Sequence, residues 1–210
     1  MTGLSAGVSE AGRVSPKDIE FHATDESGPI PLADLFPRFA PLEVDLGSGA
    51  GSFLVALAAA FPERNFLGVE RLLHRVRKTC RGAARADLRN VRVLRREIAG
   101  AVHSLLPADS VAVFHLLFPD PWPKRRHHPR RLINDFFLRA AWSALEKEGE
   151  LRVMTDDHNY FEQARKLAIS HPFQEAAWPE RPGHPRTDFE RRFLAEGRAV
   201  FRLRLRKVMP

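Results

Sequence analysis

Short apolar segments alternate with longer helical ones along most of this chain, and that alternation constrains the fold more than any other feature. Leu42–Leu46, Asn65–Val69, Val91–Leu94, Val111–Leu117 and Glu150–Met154 read as strands. Val111–Leu117 is nearly all apolar, as a strand covered on both faces must be. Between them lie helical stretches: the Ala- and Leu-rich Ser52–Phe61, the basic Arg71–Arg85 with Leu72, Leu73, Val76 and Cys80 on one side, and a short helix after the third strand. Leu132–Leu145 follows, with Ile133, Phe136, Phe137, Ala140, Ala141 and Ala144 at helical spacing, then His158–Ile169. Strands joined through helices run parallel, by right-handed crossovers. Phe173–Trp178 and Ala199–Val208 read as an antiparallel pair closing one sheet edge. The expectation is one doubly wound α/β domain over residues 29–210, with a mainly parallel seven-stranded sheet and an antiparallel C-terminal edge. Residues 1–28, rich in Gly, Ser and charge without periodicity, are expected to form a flexible arm. A length of 210 residues fits one domain.

Lys and Arg number 33 against 26 Asp and Glu, a net charge of +7. Such a surplus favours a polyanionic partner, because cations placed on phosphates release condensed counterions; a generally basic surface is the alternative. The single cysteine, Cys80, excludes an intramolecular disulfide and a cysteine-built zinc site, and fits a reducing cytoplasm. No charged segment followed by an apolar core marks a signal peptide, and the longest apolar run, Phe53–Phe61, is too short for a bilayer. A cytoplasmic protein without a membrane anchor is expected.

Val44-Asp45-Leu46-Gly47-Ser48-Gly49-Ala50-Gly51 joins the first of these strands to a helix. Glycines there allow a tight turn and close approach of backbone to a ligand. The spacing is GxGxG rather than the GxGxxG of a dinucleotide site, and Asp45 lies two residues before the first glycine. A carboxylate at that place repels a pyrophosphate and attracts the ammonium end of S-adenosylmethionine. Glu70, ending the second strand, can accept the ribose hydroxyls of either cofactor. A nicotinamide cofactor, or glycines present only for packing, are the competing readings.

Phe118-Pro119-Asp120-Pro121-Trp122-Pro123-Lys124 follows the fourth strand, at the edge where open α/β sheets bind ligands. Alternating prolines stiffen the arm that carries Asp120 and Trp122. Lys124 to Arg131 then places five permanent cations in eight residues, read either as phosphate contacts or as a solvated face. His127 and His128 lack companion ligands for a metal, and none is expected. Asp156 and Thr187 can each cap a helix, Thr187 with Glu190 three residues on. Trp122 is read either as packing or as a base-stacking platform.

Asp45–Gly51, Phe118–Arg131, Thr155-Asp156 and Thr187-Asp188-Phe189-Glu190 together resemble the bacterial tRNA (guanine-N7)-methyltransferases of the TrmB type, over roughly residues 40–206. The FPDPWPK segment with the basic run behind it is the specific part. The resemblance implies a Rossmann-like class I S-adenosylmethionine-dependent methyltransferase fold, and methylation of a guanosine in the tRNA variable loop, position 46 of the tRNA. It also implies that Asp45, Gly47, Gly49, Glu70, Glu97 and Asp120 bind the cofactor, with Asp120 central to catalysis. Lys124, Asp156, Thr187, Asp188, Phe189 and Glu190 would face the guanosine, and Arg125, Arg126, Arg130 and Arg131 the phosphates. Two positions depart from the family pattern: Asp45 stands for a usual Glu and Glu97 for a usual Asp, each keeping the charge with a one-methylene change in reach. The rival readings are a methyltransferase of another RNA or a small molecule, a non-catalytic RNA-binding module, and a nicotinamide oxidoreductase. The residues leave open whether the chain acts as a monomer or a homodimer.

Overall fold

A computed structural model describes residues 12–23, 28–179 and 182–208. The first ordered elements lie inside the segment expected to be a flexible arm: helix α1 (Pro16–Ile19) and strand β1 (Glu20–Phe21). The Ser15 amide donates to Asp18 Oδ2 at 2.8 Å, which fixes the start of α1. Ile19 is fully buried among Phe66, Val76, Val91 and Val93. Ile19 and Phe21, with Val14 and Ala23, anchor the segment to the core, a signal too short for periodicity to reveal. The remainder of that arm, residues 1–11 and 24–27, lies outside the described residues.

Next come α2 (Leu32–Leu35), β2 (Leu42–Leu46), α3 (Ser52–Ala60), β3 (Asn65–Val69), α4 (Leu73–Arg85), β4 (Val91–Leu94) and α5 (Ile98–Gly100), which runs into a wide π turn over Ala101–Leu105. Then follow β5 (Val111–Leu117), a 3-10 turn (Arg125–Arg130), α6 (Asp135–Ala144), β6 (Leu145–Thr155), α7 (His158–Ala168), β7 (Phe173–Ala176), α8 (Asp188–Ala195) and β8 (Phe201–Lys207). The sheet has the order β1-β4-β3-β2-β5-β6-β8-β7, parallel from β1 to β6 and antiparallel at β8 and β7. Among the described residues it therefore has eight strands, not seven; β1, paired through Glu20↔Val93 and Phe21↔Leu94, is the addition.

Helix α6 starts at Asp135, three residues later than the apolar spacing predicts. Asn134 caps it, its side chain accepting from the Phe137 amide at 2.9 Å, and the Ile133 amide donates to the Tyr160 hydroxyl instead of joining the helix. β6 begins directly after α6 and slips register against β5 before Glu150, with Glu148 in the left-handed region. Helices cover both faces of the sheet. α1, α3 and α4 bury Phe53, Leu54, Leu57, Val76 and Cys80 on one side; α6, α7 and the π turn bury Val102, Phe137, Ala141 and Tyr160 on the other. On β8, Arg202, Arg204 and Arg206 pair with Glu190, Glu150 and Glu148, an ionic ladder along the antiparallel edge. No helix among the described residues is long and apolar enough to cross a membrane.

From β2 the chain builds outward through β3 and β4, then returns to add β5 on the other side of β2. The two connections diverge at the carboxyl ends of β2 and β5, where such a sheet opens a crevice. That crevice is the cleft described next.

Candidate active site

The loop after β2 turns sharply because Gly47, Gly49 and Gly51 have φ of +83°, +56° and +79°. The Gly47 and Ser48 amides donate to the Val69 carbonyl at 2.8 and 3.1 Å, tying the loop to β3. At Gly51 a Cβ would lie 2.3 Å from Thr79 Cγ2, so the loop and α4 touch where only glycine fits. At Gly47 a Cβ would meet only the Ile98 side chain, at 3.5 Å, and this stretch of backbone faces the cleft.

Two carboxylates form the cleft floor. Asp45 ends β2 almost fully buried, and no donor among the described residues reaches its side chain. Burial first, and the neighbouring Glu70 second, push its pKa up to about 7. Glu70 accepts from the Gly49 amide at 3.1 Å and the Leu72 amide at 2.8 Å, one bond on each oxygen, with Arg75 3.8 Å away. A carboxylate has about four acceptor positions, so each oxygen keeps capacity for a ligand. Glu97 stands at the rim and caps α5, its side chain accepting from the Ala99 amide at 3.4 Å. A buried, unpartnered acid beneath an open glycine loop fits a ligand with a cationic group and vicinal hydroxyls, as S-adenosylmethionine has.

Opposite the loop, the proline arm leaves β5. Phe118 and Trp122 adopt φ of +54° and +44°, unusual for bulky residues and each directly before a proline. The Phe118 amide bonds the Met154 carbonyl at 2.7 Å. Asp120 is exposed and lines the same cleft, of about 800 Å³, as Asp45, Gly47, Gly49, Glu70 and Glu97. The structure thus brings together every residue assigned to the cofactor. Trp122 is half-buried on the cleft wall, with the Arg130 guanidinium 5.0 Å from its ring centre; it belongs to neither core cluster.

The residues assigned to substrate divide. Thr187, Asp188 and Phe189 line the cleft, whereas Lys124, Asp156 and Glu190 do not. Thr187 caps α8, accepting from the Glu190 amide at 3.0 Å. Asp156 pairs with Arg198. Glu190 is buried and bound to Arg202 at 2.7 Å, where α8 packs on β8. Among the arginines, Arg125, Arg126 and Arg130 are exposed beside the cleft. Arg131 differs from these three: it is buried at the cleft wall, with its guanidinium hydrogen-bonded to Pro121 and Asn159.

Sequence reasoning missed one contributor. Ser52, the first residue of α3, donates to Asp188 Oδ2 at 2.7 Å and joins the glycine loop to the Thr187–Phe189 segment. Arg71 and Arg75 add cations to the cleft beside Glu70. A hydroxyl directly after Gly51 was the available signal for Ser52; its partner, 136 positions away, was not legible. No group of three or more His, Cys, Asp or Glu able to hold a metal occurs among the described residues.

Comparison with known proteins places this geometry. A family model, Methyltransf_4, described as "Putative methyltransferase", matches residues 39–203. A tRNA (guanine-N(7)-)-methyltransferase of Nocardioides sp. is 38% identical over 189 residues, covering 88% of this chain and 75% of the relative. Its counterpart in Halorhodospira halophila is 40% identical over 183 residues, covering 83% and 78%. Among solved structures, the 16S rRNA methyltransferase KamB superposes with a TM-score of 0.61 at 16% identity, over 94% of this chain and 99% of that one, a likeness of fold. With an acid-floored glycine loop and a proline-braced aspartate meeting in one cleft, and relatives at this identity over most of its length, the chain belongs to the family of bacterial tRNA (guanine-N7)-methyltransferases.

Proposed function

We propose that this chain methylates N7 of a guanosine in the tRNA variable loop, at position 46 as the family resemblance implies, using S-adenosylmethionine, in the cytoplasm. The observation that carries the reading is the meeting of the Asp45–Glu70 floor and Asp120 in one cleft bordered by exposed arginines. S-adenosylmethionine supplies an electrophilic methyl group on a sulfonium. Asp45 would hold its ammonium group, Glu70 its ribose hydroxyls, and Glu97 its adenine end.

Guanine N7 carries a free lone pair and no proton. The chain therefore needs no general base; it needs alignment, and a negative charge where positive charge develops on the base. Asp120, anionic and held on a stiff arm, offers that charge and can alternatively accept the guanine N–H groups. Phe189 is half exposed at the cleft, its ring 5.8 Å from that of Phe118, and presents a face on which an unstacked base can rest. Arg125, Arg126 and Arg130 would take the phosphates.

The test is methyl transfer from labelled S-adenosylmethionine to unmodified tRNA transcript, with the product located by cleavage at N7-methylguanosine. One labelled guanine is expected, lost in Asp120→Ala while cofactor binding persists. Asp120→Asn decides the role of the charge: retention of most of kcat would leave Asp120 a hydrogen-bonding role and remove the electrostatic one. Transfer to another RNA, or to none, would overturn the proposed substrate.

A further inference from the structure

Arg131 ends the basic run, yet only 2% of it is exposed. Its Nε donates to the Pro121 carbonyl at 2.8 Å. One terminal nitrogen donates to Asn159 Oδ1 at 2.9 Å and to Gln163 Oε1. The other faces Asp157 Oδ1 at 4.0 Å, and the guanidinium carbon lies 4.9 Å from the centre of the Tyr160 ring. Asp157 caps α7, and Asn159, Tyr160 and Gln163 belong to that helix. Pro121 directly follows Asp120. One planar group thus joins the peptide beside Asp120 to a helix packed against the sheet.

The prolines leave something for this group to do. They restrict torsions within the arm, but three of its residues lack an N–H and none of the three can donate to a neighbouring strand. The arm can be fixed to the protein body at these residues only through its carbonyls. Phe118, through its amide, holds the near end to β6. At the far end the 3-10 turn brings Arg131 back, its amide bonded to the His128 carbonyl at 3.0 Å, so that its side chain reaches the start of the same loop. Burying a cation is costly unless hydrogen bonds satisfy it, and here three acceptors and a ring face surround it. A lysine has one ammonium and no fork, and cannot span the same partners.

We propose that Arg131 is a positioning residue: by clasping the Pro121 carbonyl to α7 it sets where Asp120 stands relative to the cofactor cleft. The inference rests on the reading of Asp120 given above. Phosphate contact and positioning make opposite predictions for the same variants. Loss of a phosphate contact weakens tRNA binding and reduces its salt slope by about 0.7–0.9. Loss of the clasp leaves affinities largely alone and lowers turnover, since a displacement near 1 Å can cost on the order of 100-fold.

The experiment uses the full chain with Arg131→Gln, Arg131→Lys and the double variant Asn159→Ala/Gln163→Ala. It measures kcat and KM for tRNA, cofactor Kd, and the 19F resonance of 5-fluorotryptophan at Trp122, assigned with Trp122→Phe. Arg131→Gln is expected to lower kcat about 100-fold, with KM and cofactor Kd little changed, and to shift or broaden the Trp122 line. Arg131→Lys should fail to rescue, and the double variant should lose kcat in the same direction but less. Retained kcat with weakened tRNA binding, or an unmoved Trp122 line in a folded variant, overturns the proposal. If Arg131→Gln does not fold, the double variant, whose substitutions lie on α7 and leave the arginine in place, decides by the same two readouts. Should the native protein methylate no tRNA, the proposed function falls, while the Trp122 line still decides the clasp.

Discussion

Asp45 shows how one burial changes the chemistry of an ordinary side chain. In the free protein its pKa, near 7, lies well above the 3.8 of an unhindered aspartate. Between those values the folded state holds a proton that the unfolded state has released, so Asp45 contributes less stability as pH rises through that window. A cationic ligand favours the ionised form. Cofactor binding should therefore tighten from about pH 6 to about pH 8 and release a proton. Calorimetry in buffers of different ionisation enthalpy would detect that proton, and Asp45→Asn should abolish both effects. The presence of an acid before the glycines was legible in the sequence. Its titration was not, because the depth of the floor and the proximity of Glu70, 25 positions on, arise only when β2 and β3 pair. The burial of Arg131 was hidden for the same reason: in a run of cations, nothing local distinguishes the one that turns inward.

Whole elements hold their places through a few contacts that can be removed singly. Gly51→Ala should cost about 2–4 kcal/mol, combining a left-handed backbone with an overpacked contact on Thr79. Adding Thr79→Ala should recover only a fraction of the packing part, since the Cβ at position 79 would still lie 2.7 Å from the new methyl, a departure from additivity visible in denaturant midpoints. At the sheet edge, Ile19→Ala should cost about 2–5 kcal/mol, since it empties a fully buried site. No measurable loss in a urea titration would mean that α1 and β1 are dispensable. β5 was legible because burial on both faces leaves a nearly continuous apolar run, and β3 and β4 have the bounds read from the sequence. β1 was not, because two residues carry no period. The start of α6 was misplaced because Leu132 and Ile133 continue the apolar spacing, while Asn134 caps the helix after them.

At the scale of the molecule, the charge of +7 is arranged rather than spread. Arg125→Glu with Arg126→Glu should weaken tRNA binding and flatten its dependence on salt by about 0.7–0.9 per contact removed; an unchanged slope would take these residues out of the interface. Arg71, Arg75 and Arg130 stand exposed around a cleft whose floor is Asp45 and Glu70. An acidic well inside a basic collar sorts its visitors by sign. A small cation is drawn to the bottom, while a polyanion is held at the brim and kept from filling the well. Ionic strength then becomes a dial with unequal grip: added salt should raise the Michaelis constant for the nucleic acid steeply and that for the methyl donor hardly at all.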